Sequence, residues 1–313
     1  MGYTLCLIPI VLLTGPFLPD LFVSFLVISF ITLVIKYKEW NYFKNKYFIY
    51  FIIFYFYFVF SSLISKNILF SLESSLFYFR FGIFSFAIWY ILEENQNILK
   101  RFTLFLFFAF TVAIIDGYHQ YFIGENIFGL ISDSPNRMTL LLNDNMILGG
   151  YLSRLFPFLF ALIILNYSSN RNYIYLIFGF LILIDCLTFL SGERTALGLL
   201  VIATLLILFL TNKFKLLRVL SLIASLLIII YIANSNVGVK QRTIGFTITQ
   251  MNLNENLEDI KYLSDDHESL SLIAYEMYKD LPIFGFGPKQ FRIHCADYLN
   301  DDERKFCTTH PHN

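Results

Sequence analysis

The stretch Leu18-Pro-Asp-Leu-Phe-Val-Ser-Phe-Leu-Val-Ile-Ser-Phe-Ile-Thr-Leu-Val-Ile35 holds one acid near its start and otherwise only apolar and hydroxyl side chains. A helix needs about 20 predominantly apolar residues to cross the hydrocarbon of a bilayer, and this run comes close to that length. Eight further runs of the same kind follow or precede it: Tyr3 to Gly15, Tyr47 to Ser65, Leu76 to Leu92, Phe102 to Ile123, Ile147 to Leu165, Tyr173 to Leu190, Thr195 to Leu210 and Phe214 to Ala233. The whole chain agrees: 57% of its 313 residues are apolar, 15% are charged, and mean hydropathy is +0.64. A soluble domain does not have this mixture. The expectation is an all-α, polytopic integral membrane protein with about nine spans. The first run is short and ends at Gly15-Pro16, but a signal peptide is excluded because it has neither a basic leader nor a small-residue cleavage site.

Lys+Arg and Asp+Glu number 23 each, so no bulk field favours nucleic acid, and the distribution of charge carries the information. Short basic loops stay in the cytoplasm. Numbering loops from the first span, one set holds Lys36, Lys38, Lys44, Lys46, Lys100, Arg101, Arg171, Lys213, Lys215 and Arg218; the alternate set holds only Lys66, Arg137 and Arg194. Ten against three predicts a cytoplasmic N-terminus, and it divides the chain into a helical bundle over 1–233 and an outer region over 234–313. That outer region contains one amphipathic helix, with Leu270, Ile273, Ala274 and Met277 at helical spacing after the cap-rich Ser264 to Glu268 and before Pro282. Gly285 and Gly287 mark a tight turn; with no strand before them and no third glycine, they are not a dinucleotide fingerprint. The chain stops at Thr309-His-Pro-His-Asn313 with no following span, which reads as a fragment.

Charges within spans are expensive and prompt a functional hypothesis. Arg80 and Arg154 fall about one and two turns inside their spans from the outer end, Arg194 begins a span at the same face, and Arg137 lies in an outer loop. Four guanidinium groups near one leaflet suit a pyrophosphate, which they grip bidentately. The plainer alternatives are snorkelling to headgroups or pairing with Asp185 or Glu73 for Arg80 and Arg154, and simple solvation for Arg137. Arg194, beside Glu193 and Gly192 in a short outer loop, has the stronger functional case. Of the histidines, His310 and His312 are candidate general bases, His267 and His294 read as surface or helix-associated, and His119 reads as an interfacial hydrogen-bonding residue. Cys6 and Cys186 sit in apolar runs, while Cys295 and Cys307 lie in the polar region. A disulfide between the latter two suits an oxidising compartment better than a zinc site, which would lack a CxxC knuckle, so no metal is expected.

Several blocks together resemble the O-antigen ligase and polymerase superfamily. They are Leu13-Thr-Gly-Pro-Phe-Leu-Pro-Asp20, Ser71 to Arg80, Asp116 to Gly129, Arg137 to Arg154, Ser191-Gly-Glu-Arg-Thr-Ala196, Gly285 to Phe291, the two outer cysteines and His310-Pro-His-Asn313. The resemblance runs over nearly the whole chain and rests on the order of the blocks. It implies a bacterial inner-membrane glycosyltransferase of about twelve helical spans with its long loop in the periplasm. Its donor would be a glycan on undecaprenyl pyrophosphate. The acceptor would be lipid A core for a ligase, a growing repeat unit for a polymerase or a protein in some relatives. By matching positions, Arg194 and Arg137 would bind the donor pyrophosphate and His312 would be the essential histidine, with Asn313 beginning the histidine motif and the remaining motif and closing spans absent.

The expected chemistry is inverting transfer: His312 takes the acceptor's hydroxyl proton, and arginines stabilise the departing pyrophosphate in place of a metal. No cofactor is expected, and the partners are the lipid-linked donor, the acceptor and the phospholipid bilayer. Ligase and polymerase share this donor chemistry and remain alternatives. A non-enzyme transporter or lipid-handling protein would place its polar residues at the bilayer midplane in paired half-repeats.

Overall fold

The computed structural model describes residues 1–132, 137–139, 141, 147–167, 174–235, 237–241, 245–250, 265–299 and 307–309. Its helices in order are α1 (Gly2–Val11), α2 (Phe17–Tyr37), α3 (Lys46–Leu63), α4 (Ile68–Ser75), α5 (Phe79–Glu94), α6 (Asn97–Ile123), α7 (Leu148–Tyr167), α8 (Ile174–Leu190), α9 (Arg194–Leu210), α10 (Lys215–Ser235), α11 (Val237–Lys240), α12 (Phe246–Gln250), α13 (Asp265–Asp280) and α14 (Phe291–His294). Among the described residues there is no strand, only a lone bridge between Glu125 and Ile131.

Each of the nine apolar runs lies on a helix, but six stretches are long and apolar enough to cross a membrane: α2, α3, Ile68–Glu94, α6, Leu148–Asn166 and α10. The other three, Gly2–Thr14, α8 and α9, are apolar but shorter. The run expected to begin at Leu76 starts eight residues earlier, because α4 continues into α5 through a single 3-10 turn at Leu76–Tyr78. The breaks follow local chemistry. Gly15 takes φ of 108°, open to glycine at little steric cost, and Pro16 after it cannot donate to a continuing helix. Asn45 and Asn67 cap α3 and α4 through side-chain oxygens that accept from Phe48 N at 3.0 Å and Phe70 N at 3.3 Å.

The chain divides into two compact units. The first comprises Met1–Phe22 with Ile91–Thr247 and packs α1 on α6, α7 on α9, and α8 on α10. Its core includes Leu106, Phe110, Leu152, Phe156, Phe160, Ile184 and Leu187. A β-carbon on Gly117 would stand 2.8 Å from both Leu148 and Leu187, so glycine there lets α6 approach α7 and α8 closely. Inside this bundle Arg218 of α10 is fully buried and grips Asp185 of α8 with two bonds of 2.7 and 2.9 Å. Thr204 of α9 accepts from the same guanidinium at 2.5 Å, Ser225 donates to Asp185 at 3.1 Å, and the Phe156 ring lies 4.8 Å from the guanidinium carbon. Arg218 is therefore not a solvated loop charge, and the charge comparison falls to nine against three.

The second unit comprises Val23–Tyr90 with Ile248–Asn313. An aromatic cluster of Phe30, Tyr42, Phe43, Phe86 and Tyr90 ties α2 to α5. Gly82 lets α5 meet Phe51 of α3, since a β-carbon there would overlap the ring. Helix α13 turns Leu270, Ile273 and Met277 inward, the last two against Cys295, Phe286 and Phe291. Cys295 and Cys307 are joined in a disulfide with 5.8 Å between their Cα atoms.

Candidate functional site

In the first unit the C-terminal ends of α6 and α8 and the N-terminal ends of α7 and α9 converge. The last two turns of α6 hold Asp116 and Gln120, both buried. Gln120 Nε2 donates to Asp116 at 2.8 Å and to the Thr139 carbonyl at 3.0 Å, and its Oε1 accepts from Thr139 N at 3.0 Å. Asp116 also accepts from Ile127 N at 2.9 Å, and Asn126 Oδ1 accepts from the amides of Phe128 and Leu130. The loop after α6 is thus pinned at both sides of its turn, and Thr139, which Gln120 holds, lies two residues from Arg137.

Across from this loop, Glu193 links the α8–α9 turn to the start of α7. Its two carboxylate oxygens accept from the backbone N–H groups of Gly149 and Gly150 at 2.7 and 3.1 Å. Those donors have no partner within their own helix, and the helix dipole favours a negative charge at that end. Gly149 is required, because a β-carbon there would overlap Ser191 Oγ. Burial pushes the Glu193 carboxyl above its usual range, while the two amide bonds and the charges of Arg137 and Arg154 pull it back. Arg137 is half-buried, whereas Arg154 on α7 and Arg194 at the first position of α9 are exposed. One carboxylate thus sits at the α7 N-terminus within the influence of Arg137 and Arg154. The charges of Arg137 and Arg154 act on this carboxylate, and the exposed Arg194 follows it in the chain.

Comparison with family models, with curated proteins and with solved structures finds no match to this chain.

Arg80 belongs to the second unit, at the start of α5, with its guanidinium carbon 5.0 Å from the Phe81 ring. Asp185 pairs with Arg218, and Glu73 with Lys289 at 3.0 Å. His310, His312 and Asn313 lie outside the described residues. His119 Nδ1 lies 2.9 Å from the Glu125 carbonyl. His294 closes α14, as the helix-associated reading expected, and is buried 4.5 Å from the Phe286 ring. The disulfide uses both sulfurs that a zinc site would need, and among the described residues no group of three or more Cys, His, Asp or Glu side chains is arranged to hold a metal. Sequence reasoning missed the Glu193 cap and the Gln120 clamp. Two adjacent glycines at a helix start, Gly149-Gly150, signal the first; a glutamine one turn after an aspartate in an apolar helix signals the second.

Proposed function

We propose that this chain is an inner-membrane glycosyltransferase that transfers O-antigen or a related glycan from undecaprenyl pyrophosphate to lipid A core. Nine spans, a cytoplasmic N-terminus, a helical bundle over 1–233 and a periplasmic region over 234–313 complete the reading. The observation that supports it best is that Arg137 and Arg154 act on the Glu193 cap, with Arg194 the next residue after that carboxylate. In this reading Arg137 and Arg194 bind the donor pyrophosphate and stabilise its leaving charge, Arg154 assists, and Glu193 orients the site. Such preorganised positive charge serves a leaving phosphate without a metal. His312 accepts the acceptor's hydroxyl proton as that oxygen attacks the anomeric carbon, and inversion follows from the single displacement.

Polymerase activity shares the donor half of this reaction and is the second reading. Transport is the third: among the described residues the buried Asp185–Arg218 pair is the feature that favours it. That pair is tied to Thr204 and Ser225 of the same bundle by hydrogen bonds, so we read it as structural. The test is complementation with the gene in ligase-deficient and polymerase-deficient strains. Capped lipopolysaccharide in the first strain, lost with Arg194→Ala and His312→Ala, supports ligation. Long chains only in the second support polymerisation, and no response from protein present in the membrane counts against both.

A further inference from the structure

Within the second unit, the segment Leu281-Pro-Ile-Phe-Gly-Phe-Gly-Pro-Lys-Gln290 is seated on the α3–α4 hairpin. Ser61 donates to the Phe284 carbonyl at 2.6 Å, Ser71 donates to the Pro288 carbonyl at 2.6 Å, and Tyr57 donates to the Ile283 carbonyl. Gly287, at φ of 98°, lies so close that a β-carbon would stand 2.9 Å from Ser65 and Ser71. Gln290, fully buried, donates to the Asn67 carbonyl at 3.2 Å. Ser61, Ser62, Ser65, Ser71 and Ser75 are all buried although the hairpin around them is apolar.

Helix α3 is one of the stretches able to cross a membrane, and only 11% of it is buried within the protein. Tyr57 stands six residues before its end, about 9 Å along the axis. Irregular backbone at membrane depth is tolerated only where protein groups satisfy its carbonyls, which is what the hairpin serines and Tyr57 do here. The side chains of the same turn are exposed. Leu281, Pro282, Ile283 and Phe284 are four consecutive exposed apolar residues, Ile283 at 70%, and such a run has no reason to face water. Phe284 stacks on Tyr57 and meets the edge of Phe60, both on the exposed surface of α3, so the two apolar surfaces are continuous. A groove of about 350 Å³ beside them is lined by Tyr57, Met277, Tyr278, Phe284, Phe286 and Phe291.

We infer that the turn Leu281–Phe284 is a membrane wedge, inserted among the acyl chains of the bilayer leaflet in which α3 ends and held at that depth by the serine-lined hairpin. This goes beyond the transferase reading and does not depend on it; it rests on α3 crossing the bilayer. The hairpin serines exist to let a loop enter the leaflet with its carbonyls bonded, and the groove takes the acyl chain of a phospholipid. Insertion of such apolar groups reaches about 5–10 Å below the headgroups.

The experiment uses the full chain in phosphatidylcholine nanodiscs, with Cys6→Ala and Cys186→Ala so that a single introduced thiol is labelled with an environment-sensitive dye. Ile283→Cys and Leu281→Cys report the turn, and Glu268→Cys, exposed at the other end of α13, reports the surface. At 283 and 281 quenching by nitroxide on the acyl chain is expected to exceed quenching by aqueous iodide several-fold, with the reverse order at 268. Ser61→Ala with Ser71→Ala is expected to lower the lipid quenching at 283 by at least half in protein that still elutes as a single species. Iodide quenching at 281 and 283 equal to that at 268 overturns the inference. Protection from both quenchers also overturns it, because the turn is then covered by protein.

Discussion

Replacing Asp185 by asparagine leaves Arg218 with its charge in the bundle interior and no counter-charge. The guanidinium has no exposed surface, and it gives Asp185 two hydrogen bonds of 2.7 and 2.9 Å. Two unit charges at about 4 Å interact by roughly 4 kcal/mol at the effective dielectric that suits such sites, and breaking one partner of a buried pair costs about 3–5 kcal/mol. The asparagine amide keeps one acceptor oxygen, so at most one of the two guanidinium bonds survives with it. At about 1.4 kcal/mol per tenfold, the folded-to-unfolded ratio drops by roughly two to three and a half powers of ten. The assay is reversible unfolding of the purified chain in mixed micelles, followed by tyrosine and tryptophan emission, for Asp185→Asn, Arg218→Met and the double variant Asp185→Leu with Arg218→Met. Each single change is expected to destabilise by about 3 kcal/mol or more, and the double by clearly less than their sum, because it removes both charges together. Single variants within about 1 kcal/mol of the parent, or strict additivity, would falsify the claim that this pair locks α8 against α10.

Gly149→Ala is expected to displace the Glu193 cap and destabilise the first unit by about 1–3 kcal/mol, the range for inserting a carbon where none fits; a melting temperature equal to the parent's counts against the cap geometry. If the proposed transfer holds, Arg194→Lys, which keeps the charge but loses the bidentate fork, is expected to lower glycan transfer by on the order of a hundredfold, about 3 kcal/mol, with membrane abundance unchanged; transfer equal to the parent's counts against that role. The Glu193 carboxyl stands above its ordinary 4.5 in the folded protein, so between 4.5 and its raised value the native state holds more protons than the unfolded chain. Stability therefore falls as pH rises through that window, and Glu193→Gln is expected to flatten the slope; parallel stability curves for the two proteins would contradict the shift.

What could be read from the residues alone is the part of the protein governed by one dimension. Runs such as Leu18 to Ile35 must be helical wherever they meet hydrocarbon, because no other partner satisfies their backbone. The α13 stripe of Leu270, Ile273 and Met277, the break at Gly15-Pro16 and the turn at Gly285 and Gly287 were likewise legible, since each depends on neighbours within a few positions. Arg218 shows where this ends. Three residues after Lys215 it has the sequence setting of a loop charge, and only the packing of α8 beside α10 brings Asp185, 33 positions away, into its reach. Glu193 and Gly149 are 44 apart and Ser61 and Phe284 are 223 apart, so neither the cap nor the serine seat leaves a local pattern. Periodicity and polarity determined which segments are helices and which faces are apolar, because those follow from the solvent each residue prefers. Which carboxylate meets which guanidinium, and which serine meets which carbonyl, was decided by the tertiary structure, because buried polar groups must find partners and the partners are set by how the helices pack.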